Sequence, residues 1–99
     1  MAAPDVWVAK DDGSDIVRAT AIAAVGRDYN GSITVRMSGG EQAVVTIVDN
    51  SHGAPHTPDD FHLQLLRMIT RLSDTAEAAL IRPVRNEADG GWKWRTGSL

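Results

Sequence analysis

TPDDFHLQLLRMITRLSD, residues 57–74, is the stretch that decides the fold class. Thr57 can cap a helix, Pro58 fits the first helical position, and Asp60 stands where a capping box places a carboxylate. Asp59 and Asp60 also suit the positive end of the helix dipole. At about 100° per residue, Phe61, Leu65, Met68 and Leu72 fall on one narrow stripe. Ile69 and Leu66 widen it, while Gln64, Arg67, Arg71 and Asp74 face away. The spacing predicts a helix over 58–74, about 25 Å long, laid by its apolar stripe against a sheet. Leu63 breaks the pattern, projecting on the polar side next to Thr70.

The residues before the helix read as strands. Val6-Trp7-Val8-Ala9 and Ile16-Val17-Arg18 flank a turn cluster, Asp11-Asp12-Gly13-Ser14, and predict an antiparallel hairpin. Residues 19–24 read as a strand with a bend. Asn30-Gly31 is a type I′ turn signal between strands over 22–28 and 32–37. In the second of these Ile33, Val35 and Met37 share the buried face. After Gly39-Gly40, residues 43–48 form the next strand. A three-residue loop would set Ile33 opposite Val45 and Val35 opposite Ala43, and a two-residue turn would set Val35 opposite Val44. The first puts Ala43, Val45 and Ile47 on the buried face and leaves Val44 and Val48 on the other. Residues 49–57 connect sheet to helix.

Beyond the helix, residues 78–82 read as a short strand ended by Pro83. Residues 86–91 are a polar turn region, and residues 92–95 a last strand. Trp92 and Trp94 share one of its faces, and Lys93 and Arg95 share the other. The whole reads as a single α+β domain over residues 1–99. It is an antiparallel meander-like sheet of five to six strands, with one long amphipathic helix packed on one face.

Composition narrows the function. The chain has 99 residues, 42% hydrophobic and 23% charged, a balance that fits a folded protein and not a disordered one. It holds no cysteine, which removes disulfides, thiolate catalysis and thiolate metal sites, and favours a reducing, cytoplasmic location. Residues 1–5 lack the basic and apolar regions of a signal peptide. No apolar run is long enough to span a bilayer, so no membrane partner is expected. The formal net charge of -3 weighs against nonspecific nucleic-acid binding, which rests on phosphate neutralisation.

Three constellations carry candidate chemistry. His52, His56, Asp59, Asp60 and His62 are metal-ligating types within eleven residues. Their spacing matches no recurring metal motif, and no metal or cofactor is expected. No nucleophile elbow or phosphate-cradling loop is present, so no catalytic residue is assigned and an enzyme is not expected. Arg82, Arg85, Lys93 and Arg95, interleaved with Trp92 and Trp94, offer cations and stacking rings for nucleic acid. Trp7, Trp92, Trp94, Leu63, Val44 and Arg95 together exceed the surface that one helix and one sheet readily cover. They are the candidates for a protein contact.

The expected function is therefore a noncatalytic protein-interaction module of adaptor, accessory or immunity type. Its partner is itself, as a symmetric homodimer, or another protein. A regulator touching nucleic acid through residues 92–95 is the second expectation. A metal- or His-dependent enzyme at His52, His56 and His62 is the third.

Overall fold

The computed structural model describes residues 6–38, 43–49, 57–74, 78–85 and 91–97. Within them lie strands β1 (Val6–Ala9), β2 (Ile16–Arg18), β3 (Ile22–Arg27), β4 (Ile33–Met37) and β5 (Val44–Val48), helix α1 (Phe61–Ser73), and strands β6 (Ala79–Arg85) and β7 (Trp92–Gly97). The fold is α+β with a single described helix, but its strands form two sheets. One has four strands in the order β2-β1-β6-β7, and the other has three in the order β3-β4-β5. This corrects the single meander of five to six strands.

The break falls at the alanines. β1 and β2 form the expected hairpin, with Trp7 opposite Arg18. Residues 19–24 then do not continue as a bent strand. Ala19–Ala21 make one 3-10 turn, closed by the Ile22 N–H on the Ala19 carbonyl. The turn takes the chain out of the plane of β2, and β3 begins a second sheet.

That second sheet keeps the meander. Its first hairpin is closed by Tyr29, Asn30 and Gly31, not by a type I′ pair. Gly31 has φ 85°, and Asn30 is not left-handed. The Gly31 N–H reaches the Asp28 carbonyl at 3.0 Å. The Asp28 carboxylate accepts the N–H groups of Asn30 and Ser32, each at 2.9 Å. Asp28 thus holds Tyr29 and Asn30 in an ordinary turn, and one left-handed glycine returns the chain.

Between β4 and β5, Val35 lies opposite Val45 and Arg36 opposite Val44. Neither short loop forms. The last bond, Met37 N–H to the Ala43 carbonyl, leaves a longer connection. Farther along, Thr34 pairs with Thr46 and Ile33 with Val48, so Ile47 is an extra residue on β5. A bulge of this kind kinks the strand. Ile47 and Val48 are both fully buried, although Val48 was expected on the far face.

Helix α1 starts three residues later than expected. Thr57 is not its cap, because the hydroxyl is used elsewhere. It donates to the Gly31 carbonyl at 2.6 Å and accepts from Arg27 Nε at 3.2 Å. Asp60 is the capping residue but its carboxylate bonds no backbone N–H; it accepts from Gln64 Nε2 instead. The stripe is as read at its centre: Phe61 and Leu65 are fully buried, and Met68, Ile69 and Leu72 pack half-buried against the core. Leu66 does not widen it, being 44% exposed like Leu63. The helix touches β1, β3 and β7, and so bridges the two sheets.

The four-stranded sheet is mixed. β1 runs parallel to β6, with Val6 opposite Ala79 and Val8 opposite Ile81. β6 and β7 are antiparallel over six pairs, so the last strand has a sequence-adjacent partner of its own length. Pro83 lies inside β6, opposite Trp94. The pairing with β1 stops at Ile81, so Pro83 has a strand neighbour on one side only, where proline is tolerated. Val6, Val8, Ile33, Val35, Phe61, Leu65, Ile81 and Trp94 meet in one core between the sheets and the helix.

Candidate functional site

The register of the four-stranded sheet sorts its side chains. Val6, Val8, Ala79, Ile81, Pro83 and Trp94 point into the core. Residues one step along from these point outward, because side chains alternate along a strand. The outward set includes Trp7 on β1, Leu80 and Val84 on β6, and Ile16 on β2, an apolar row on which no described helix or strand is packed. It also includes Arg18 on β2, Arg82 on β6, and Lys93 and Arg95 on β7. No Asp or Glu stands on an outward register of these strands.

Two of these cations are direct neighbours. Arg82 lies opposite Arg95, and Lys93 lies opposite Val84, one outward step away. Like charges directly opposite each other destabilise a sheet. Among the described residues, none of Arg82, Lys93 and Arg95 has an ion pair or hydrogen-bonded side-chain partner. Arg18 instead lies over the Trp7 ring, 4.9 Å from its centroid, a cation–π contact. The result is a basic face on a chain whose net charge is negative.

A cleft of about 630 Å³ adjoins this face where β1 ends. Pro83, Val84 and Trp92 line it together with Arg82 and Arg85, and Lys10, Asp11, Asp12 and Asp49 form the other wall. Two of the acids there, Asp11 and Asp12, are engaged. Hydrogen bonds from the Ser14 side chain and backbone N–H, with Lys10 nearby, hold the Asp12 carboxyl below its usual range. The Asp11 carboxylate accepts the Asp49 N–H. A carboxyl held ionised this way does not suit a general acid at neutral pH.

The other candidates are scattered. Trp94 belongs to the core: it is 7% exposed, stacks on Phe61 at 4.5 Å, and its indole N–H donates to the Phe61 carbonyl at 2.9 Å. Trp92 packs half-buried at the edge of the same core. Neither ring shares a face with Lys93 and Arg95, so the stacking-plus-phosphate arrangement over residues 92–95 does not form. Val44 is 58% exposed on the outer side of the three-stranded sheet, away from Trp7. Leu63 stands on the outward side of α1. Only Trp7 and Arg95 of the six come together on one face. Arg18 was missed, because its side depends on the pairing of Trp7 with both Arg18 and Leu80.

Of the metal-ligating types, His52 and His56 lie outside the described residues. Asp59 pairs with Arg27 at 3.6 Å, and Asp60 with Arg67 at 3.7 Å. His62 Nδ1 is buried with no hydrogen-bond partner. Among the described residues no three metal-ligating side chains gather. No described helix is long and apolar enough to cross a membrane. No protein-family model matches the chain, and neither the curated proteins nor the solved structures give a match.

Proposed function

We propose that this chain is a noncatalytic docking module that binds an acidic protein surface on the outer face of its four-stranded sheet. One observation carries the reading: Arg82 and Arg95 face each other across β6 and β7, with Lys93 beside them and no Asp or Glu on the outward registers of the described strands. A surface shaped only by solubility intersperses its charges. Here none of the acidic residues, which outnumber the basic ones 13 to 10 in the chain, falls within the four strands that carry the face. An acidic partner relieves the repulsion, and the apolar row of Trp7, Leu80 and Val84 supplies contact area at the centre.

A protein fits this face better than nucleic acid. Single-strand binders stack successive bases on several rings. This face has one ring, and Arg18 already covers it. A second copy of the chain fits it poorly too, since a twofold axis would set the same cations against each other. Self-association has a different support, the pair Leu63 and Leu66, each 44% exposed one helical turn apart on α1. It is the second reading.

The test is titration with a peptide of mixed Glu and Leu and, separately, with an oligothymidylate of equal charge, read by backbone amide shifts. The peptide should move signals on β1, β6 and β7, and Arg95→Glu should abolish the effect. The same substitution should raise stability by about 0.2–1 kcal/mol, because it replaces a like-charge pair with an opposite one. Tighter binding of the oligothymidylate than of the peptide overturns the reading.

A further inference from the structure

We infer that the partner binds as an extended acidic strand added to the free edge of β7, its side chains alternating between acidic and apolar. This rests on the docking face just described and specifies how that face is used.

Among the described strands β7 is the last of its sheet, with β6 on one side only. Over residues 93–97 its described backbone bonds run to β6 alone. The strand is six residues long and regular, with no bulge in its pairing with β6 and no proline of its own. Such an edge is a template for another strand. Natural edges are blunted by cations, and Lys93 and Arg95 could serve that purpose alone. Arg82 does not guard that edge, because it stands on β6, with β7 between it and the edge. A cation there, opposite Arg95, adds repulsion without guarding the edge of β7. An anionic strand beside β7 meets Lys93 and Arg95 directly and offsets the repulsion between Arg95 and Arg82.

The geometry fixes the pattern of that strand. Side chains directly opposite on neighbouring strands sit about 5 Å apart. Residues added beside Lys93 and Arg95 are on the outward face and meet two cations, so they are acidic. Their neighbours in sequence fall on the inward face, level with Trp94, and are apolar. A second copy of β7 fails this test, since it would bring Lys93 and Arg95 beside one another again.

The probe is an eight-residue peptide alternating Glu and Val, compared with a scrambled peptide of the same composition in which the Glu are contiguous. A third peptide carries N-methyl groups at alternate residues along the backbone edge. The alternating peptide should bind at least about tenfold more tightly than the scrambled one. It should slow amide exchange on β7 and lose its affinity on N-methylation. Lys93→Glu with Arg95→Glu should transfer the preference to an alternating Lys–Val peptide. Equal binding of all three peptides, with unchanged exchange on β7, overturns strand addition while leaving the acidic docking face in place. No binding of any acidic peptide, or binding of oligothymidylate alone, overturns both.

Discussion

Leu65 and Thr57 show how differently single residues support this structure. Leu65 is fully buried at the centre of the helix stripe, where periodicity placed it. Leu65→Ala removes packing that the surrounding side chains refill only in part. It should cost about 2–5 kcal/mol, measured by urea unfolding. A change under half a kilocalorie would mean that this face of α1 does not meet the core. Thr57 is 2% exposed and works through its hydroxyl, which joins Arg27, Gly31 and the entry to the helix. Thr57→Val keeps the shape but leaves a buried carbonyl and a guanidinium N–H without their partner. The expected loss is about 1–3 kcal/mol. Sequence reading assigned Thr57 to the helix cap, because a Thr before Pro-Asp-Asp satisfies every local rule for one. Its partners are 26 and 30 residues away, and local rules do not register them.

Elements were legible where their signal is local. The helix, the β1–β2 hairpin and the alternation of Ile33, Val35 and Met37 all follow from spacing within a few residues. The register of β4 with β5 was not legible, because the connection is longer than either short turn and sets Val35 opposite Val45, and a bulge at Ile47 then shifts the pairing by one more residue without any glycine to mark it. Pro83 misled for a related reason. Proline forbids a strand only where its missing N–H is needed, and the short reach of β1 removes that need. The hairpin around Gly31 offers a direct check at this scale. With φ 85°, Gly31→Val forces a β-branched residue into left-handed space and should destabilise by about 1–3 kcal/mol. Gly31→Asn, which tolerates that region, should lose much less. Equal stability of all three proteins would mean the glycine is not left-handed. The candidate site was legible only in pieces: residues 82–95 read as basic, but the face they form with Arg18 and Trp7 exists only once β1 lies beside β6.

For the whole molecule, the surplus apolar surface counted from sequence shrinks on folding. Trp94 enters the core and Trp92 packs at its rim, which leaves Leu63, Leu66, Val44 and the Trp7 row. Light scattering behind a sizing column distinguishes the two readings of what remains. A mass holding at 10.6 kDa from micromolar concentrations upward fits a module awaiting a different protein. A rise to about twice that mass, reversed by Leu63→Glu without unfolding, fits a closed twofold pair through α1.

The parallel pairing of β1 with β6 also governs the order of assembly. Val6 meets Ala79, a contact spanning most of the chain, whereas the β3–β4–β5 meander pairs strands that follow one another in sequence. Closing a loop of that length must precede any reward from its contacts, and such pairings fold slowly. β1 is made early but has no place in its sheet until β6 exists, so a nascent chain holds the β1–β2 hairpin in waiting. In refolding, protection of the Val6–Ala9 amides should lag behind that of β4. Variants that weaken β6 should slow this late phase and leave the early one unchanged.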